Sequence, residues 1–176
     1  MSLNENVTNA FNVVFKTLQN IEKLIDKCKN DMDKDKYYMP TNKFLRYSSD
    51  NHWYGWIYYS FILLYQRKAD GEIMKNGWIN GPIYAVNINL AVDDIEEPVV
   101  YIAKMDFCDN TGWEQGCSPS NHDAFYNAIN ADEEDLKNNL FWGLQKVDKL
   151  AINLLDITVQ NYKEKIFDSI DELSRR

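Results

Sequence analysis

The sequence predicts an α+β fold: a mainly antiparallel sheet of about four to five strands over residues 43–107, flanked by an N-terminal helix and long C-terminal helices. Three patterns carry this expectation. Apolar residues near the N-terminus recur at alternating spacings of four and three. The middle of the chain alternates with period two, and the last third returns to helical spacing. At 176 residues the chain is expected to form one domain, residues 1–176, burying roughly 70% of its unfolded surface.

The first helix is expected over residues 4–29. Val7, Phe11, Val14, Leu18, Ile21, Ile25 and Cys28 line one face, widened by Ala10 and Leu24 into a core-facing stripe. Ser2 and Glu5 fit a capping box, and Pro40 forbids any continuation past the charged stretch before it. Because Cys28 lies on the stripe, it is expected to be a buried structural thiol.

Strands follow. "KFLRYS" is a short one. "DNHWYGWIYYSFILLYQ", Asp50 to Gln66, is apolar at odd and even positions alike and holds seven aromatic residues. Aromatic and β-branched enrichment favours a strand covered on both faces, hence central in its sheet. In "WINGPIYAVNINLAV", Tyr84, Val86, Ile88, Leu90 and Val92 point one way. Ile83, Ala85, Asn87, Asn89 and Ala91 point the other, as in a half-buried strand. A charged turn, "DDIEE", leads to a second alternating run with Val99, Tyr101, Ala103, Met105 and Phe107 on one face and Lys104 and Asp106 on the other. The two runs predict an antiparallel hairpin.

The last third reads as helical. "SPSNHDAFYNAI" has Ser118 as cap and Pro119 at the first position. Asn130 and Glu133 then open a longer helix over 132–173, with an apolar face from Leu136 through Leu144, Val147, Ala151 and Tyr162 to Ile170. Unbroken, it would extend about 60 Å, so a break is expected near "DITVQN", or else self-association through this helix.

Composition narrows the function. Hydrophobic residues make up 45% and charged residues 26%, ordinary globular values. A formal charge of −8 and a pI near 4.8 disfavour nucleic acid and anionic lipid as partners, leaving a protein partner or a small ligand. The short segment "KDKYYMPTNKFLRY" interleaves basic and aromatic residues as single-strand binders do, but the surrounding chain is acidic. No apolar run reaches the length of a membrane span. The N-terminus lacks the charged and apolar pattern of a secretory leader, and the cysteines number three, Cys28, Cys108 and Cys117. A reducing, cytoplasmic setting is expected.

Candidate sites are few. Asp31 to Asn42 begins with the D-x-D-x-D spacing of a calcium loop, but Lys36 and Asn42 stand where Gly and Glu are required. Cys108 and Cys117 are too far apart for a zinc knuckle, and no metal or cofactor is assigned. Cys117 and His122 could form a nucleophilic pair only with an orienting group that the sequence does not show. Asp93, Asp94, Asp106 and His122 outline the alternative to a binding protein, a metal-assisted hydrolase or nuclease. The leading expectation is a non-enzymatic binding or accessory protein. Its ligand site is expected at His52, Trp53 and Tyr54, where the aromatic run enters the sheet beside the polar Ser48-Ser49-Asp50 turn.

Overall fold

Alternation with period two sends successive side chains to opposite sides of a strand, so a run apolar at every position needs a cover on each side. That requirement organises this protein. A computed structural model describes residues 3–47, 57–90, 97–111, 113, 122–131 and 143–176, and the chain divides into two compact units, residues 1–32 and 33–176.

The first unit is helix α1 (Leu3–Asn30). Of the expected stripe, Ile21, Ile25 and Cys28 are buried, whereas Val7 is 49% and Phe11 56% exposed. The stripe is therefore withdrawn from solvent only in its C-terminal part. Burial, with the charge of Asp31 adding to it, pushes the Cys28 thiol up to about 12, which keeps it protonated and unreactive.

The second unit holds a six-stranded antiparallel sheet. Strands β1 (Tyr37–Tyr38) and β2 (Leu45–Tyr47) both pair with β3 (Ser60–Arg67). Tyr37 lies opposite Arg67 and Tyr47 opposite Ser60, so β1 and β2 act as one interrupted edge with Pro40 in the gap, where its missing N–H is tolerated. Next come β4 (Ile83–Asn89), β5 (Val99–Phe107) and β6 (Leu144–Asn153), each antiparallel to its neighbour.

The aromatic run does supply an interior strand, with β3 buried on both faces. The strand begins at Ser60, while Ile57 is 46% exposed; residues 51–56 lie outside the described residues. The β4–β5 hairpin forms as expected, but β4 is buried along its whole length rather than half-buried, because both faces of the sheet are covered.

Residues opposite one another across strands share a face. One face carries Ile62, Leu64, Ala85, Ala103 and Met105, which pack with Phe125, Ala128 and Ile129 of helix α2 (His122–Asn130). On the other, Leu63, Tyr65, Tyr84, Val86, Ile88, Val100 and Ile102 are buried. The C-terminal helix packs on that side. It begins with a π-helical turn, Glu164–Asp168, and continues as α3 (Ser169–Ser174). Ile166, Phe167, Ile170 and Leu173 are its buried residues, and the Phe167 ring meets Tyr65 edge-on at 5.7 Å.

The single long helix expected over 132–173 is not formed; residues 132–142 lie outside the described residues. Leu144–Asn153 is a strand instead, followed by a 3-10 turn, Leu154–Asp156, and the C-terminal helical segment is short. Two features account for this. Gly143 adopts φ +74°, a left-handed conformation that interrupts a right-handed helix and turns the chain onto the sheet. The free side of β5 also needs a hydrogen-bonding partner along nine residues. "LQKVDKLAIN" meets that need while placing Lys146 opposite Asp106 and Asp148 opposite Lys104, favourable cross-strand charge pairs. Helical spacing of Leu144, Val147 and Ala151 was compatible with the sequence but lost to sheet pairing. Among the described residues, no helix is long and apolar enough to cross a membrane.

Candidate functional site

The α2-covered face of the sheet changes character along its length. Under the helix it is apolar: Leu64, Ala85, Ala103 and Met105 meet Phe125, Ala128 and Ile129. The C-terminal end of α2 is fastened by Lys149 of β6, whose Nζ donates to the carbonyls of Ile129 at 3.4 Å and Ala131 at 3.0 Å. A cation at that position also complements the helix dipole.

In the sheet register, two further rows of the same face lie beyond Lys149. The first runs Ile62, Asn87, Tyr101, Ala151, and the second Ser60, Asn89, Val99, Asn153. Asn87 and Asn89 come from "VNIN" in β4, where the pleat aims alternate residues at one face. Asn87 is fully buried and Asn89 is 1% exposed. Ser60 Oγ, also fully buried, donates to Asn87 Oδ1 at 2.8 Å. Among the described residues, Asn87 Nδ2 and Asn89 Oδ1 have no hydrogen-bond partner. A buried donor or acceptor left in that condition costs about 1–3 kcal/mol. The two carboxamides therefore stand as one unused donor and one unused acceptor on neighbouring rows. Toward β6 the patch approaches solvent, since Tyr101 is half-buried and Ala151 exposed.

Gln66 and Asn110, the other buried polar side chains described in this unit, each bond to the chain. Gln66 grips the 79–82 backbone, accepting from Ile79 N at 2.8 Å and donating to Ile79 O at 2.7 Å. Asn110 donates to the same carbonyl at 2.8 Å; its Oδ1 has no partner, but it stands alone in a loop. Asn76 Nδ2 reaches the carbonyls of Asn110, Thr111 and Trp113. These contacts hold a loop pair together around Trp78, Trp113, Phe107 and Phe125, whose rings meet edge to face.

A second polar cluster lies on the other face. Asp171 of α3 accepts from Lys36 and, at 2.7 Å, from Tyr37 Oη, with Arg67 Nε 4.0 Å away. Arg67 also pairs with Asp70 at 3.4 Å, and Tyr84 Oη donates to Asp70 at 3.1 Å. Burial disfavours the Asp171 charge, but the Lys36 and Tyr37 hydrogen bonds, with the charges of Lys36 and Arg67, outweigh it and hold the carboxyl below its usual range. Burial, then the Asp171 hydrogen bond, push the Tyr37 phenol up. This network clamps the C-terminal helix to the sheet edge.

Of the residues expected from sequence to form the ligand site or the hydrolase site, only Asp106 has a described side chain. Asp106 ion-pairs with Lys104 at 3.7 Å and shares the face of Val100 and Ile102, opposite to the face α2 covers. Asp93 and Asp94 lie outside the described residues, and so does Cys117; His122 opens α2, its side chain not described. Among the described residues, no three His, Cys, Asp or Glu side chains gather as a metal-holding group. Cys108 is exposed and in no disulfide. His52, Trp53 and Tyr54 fall outside the described residues as well.

Sequence reasoning passed over Asn87 and Asn89 because, in a half-buried strand, their side reads as solvent-facing. The available signal was two asparagines, poor strand formers, on one side of an otherwise apolar strand. It becomes informative only once both faces of β4 are known to be covered. No protein-family model, no curated protein and no solved structure matches this chain.

Proposed function

We propose that this protein is a non-enzymatic binding protein that takes a small ligand at the polar end of its sheet, beside the start of β3. The observation that carries the reading is the pair of buried, unpartnered carboxamides, Asn87 and Asn89. Buried polar groups without partners are rare in native proteins, and here two on adjacent rows of one face leave a donor and an acceptor that nothing among the described residues takes up and that a bound ligand would. Carboxamides and a serine hydroxyl do not titrate near neutrality. They can therefore orient and hold a ligand but supply no general acid or base, which favours binding over catalysis.

The location supports the reading too. Ser60 lies opposite Tyr47, at the end of β3 that follows His52, Trp53 and Tyr54 in sequence, where a ligand site was expected; those three residues lie outside the described residues. A cytoplasmic setting belongs to the same proposal, supported by Cys28 and Cys108 standing outside any disulfide. Native mass spectrometry of protein purified without denaturants tests it. Wild-type protein is expected to carry a small-molecule adduct that Asn89→Leu loses while remaining folded. Identical adduct-free spectra for both, with no melting shift from a mixture of neutral metabolites, would count against ligand binding at this site.

A further inference from the structure

The same site also restricts what it can bind, and this inference rests on the binding reading above. We infer that the ligand is recognised through a neutral group carrying one acceptor and one donor side by side, as in a carboxamide, lactam or urea, and not through an ionised group.

Complementarity supplies the first reason. Asn87 Nδ2 offers a hydrogen and Asn89 Oδ1 offers a lone pair, so the ligand must return an acceptor to the first and a donor to the second. Positions two apart on one strand are separated by about 6.6 Å. One amide group with a hydrogen bond of about 2.9 Å at each side spans that interval in a bent bridge.

Charge supplies the second reason. The two rows that frame the site, Ser60–Asn89–Val99–Asn153 and Ile62–Asn87–Tyr101–Ala151, contain no ionisable acid or base other than a tyrosine. Among the described residues, the nearest charges on this face are already engaged. Lys149 donates to the α2 carbonyls, and Glu97 accepts from Asn153 Nδ2. An ammonium or carboxylate brought against Asn87 and Asn89 would be desolvated with no free counter-charge among the described residues, a far larger penalty than a neutral amide meets. Selection among ligands thus comes from an uncharged, hydrogen-bonding surface in which one wrong charge is rejected.

Titrations of ¹⁵N-labelled full-length protein with three small probes of similar size test this: acetamide, acetate and methylammonium, at matched pH and ionic strength. The side-chain NH₂ resonances of Asn87 and Asn89 are assigned by their disappearance in Asn87→Ser and Asn89→Ser. Acetamide is expected to shift both pairs saturably, with at least about tenfold lower affinity for either ion, one desolvated unpaired charge being worth more than that factor. Acetamide binding is expected to be lost in Asn89→Ser, with backbone resonances elsewhere unchanged. If acetate or methylammonium shifts these resonances as strongly as acetamide, the neutral class is wrong but the site stands. If none of the three perturbs either side chain, both the class and the site fall, and the carboxamides are structural groups satisfied by water.

Discussion

Two halves of one sheet face behave in opposite ways. Under α2, Leu64, Ala85, Ala103, Met105 and Leu144 close against Phe125, Ala128 and Ile129 with no polar atom to satisfy. In the next two rows, on the same pleated surface and in the same strands, Ser60, Asn87 and Asn89 are equally withdrawn from solvent, yet two of their polar atoms have no partner among the described residues. The apolar half gains free energy from every methylene it buries, whereas the polar half loses it. A region that is costly where its neighbour is favourable carries the stronger indication of function, because stability alone would have filled it with apolar residues. Lys149, bonded to the end of α2, marks the border between the halves.

Mutations on each side break or sharpen this contrast. The largest effect is expected in the apolar half. Leu144→Ala, at a residue 4% exposed in the core cluster, should lower unfolding stability by about 2–5 kcal/mol in urea denaturation. A loss below about 1 kcal/mol would mean that β6 does not complete this core. The polar half should respond with the opposite sign. Asn89→Leu removes an unpartnered acceptor and adds apolar volume, so stability should rise by about 1–3 kcal/mol while ligand binding disappears. If Asn89→Leu destabilises instead, its carboxamide is a satisfied structural group and the two halves do not differ as described.

The opposite face provides a control that titrates. With its pKa depressed by Lys36, Tyr37 and Arg67 against the effect of burial, Asp171 stabilises the fold as the charged form. Its contribution is fully present above the unfolded carboxylate value near about pH 4 and is lost as pH falls through the lowered folded value. Acid unfolding followed by circular dichroism should therefore be shallower below about pH 4 in Asp171→Asn than in wild type, and neutral-pH binding at Asn87 and Asn89 should be unaffected. Parallel acid limbs in the two proteins would remove Asp171 from the clamp. The smallest expected change is at the border: Lys149→Met should cost about 0.3–1 kcal/mol by leaving the α2 carbonyls without their cation, measurable as a small fall in melting temperature.

Much of the second unit could be read directly from side-chain order. The β4–β5 hairpin follows from Ile83–Asn89 and Val99–Phe107, because strict alternation fits a pleat and nothing else. Helix α2 was expected from the start signals Ser118 and Pro119, which lie outside the described residues, and it is formed over His122–Asn130. The stretch from Leu144 to Asn153 could not be read this way, since Leu144, Val147 and Ala151 satisfy a helix while Leu150, Ile152 and the paired charges satisfy a strand. Local periodicity was degenerate there, and the open side of β5 settled it. Much the same holds for the candidate site. The residues that form it, Ser60, Asn87 and Asn89, look unremarkable in one dimension.

By itself the sequence determined the α+β class, helix α1, the hairpin and the burial of β3 on both sides, all of which depend on the spacing of near neighbours. Only the tertiary structure decided that Leu144–Asn153 joins the sheet as β6 and that the two asparagines of β4 are buried without partners among the described residues. Strand pairing and the cover on a strand's second face are set by residues distant in sequence, and no local pattern records whether a polar side chain will find a partner once water is excluded.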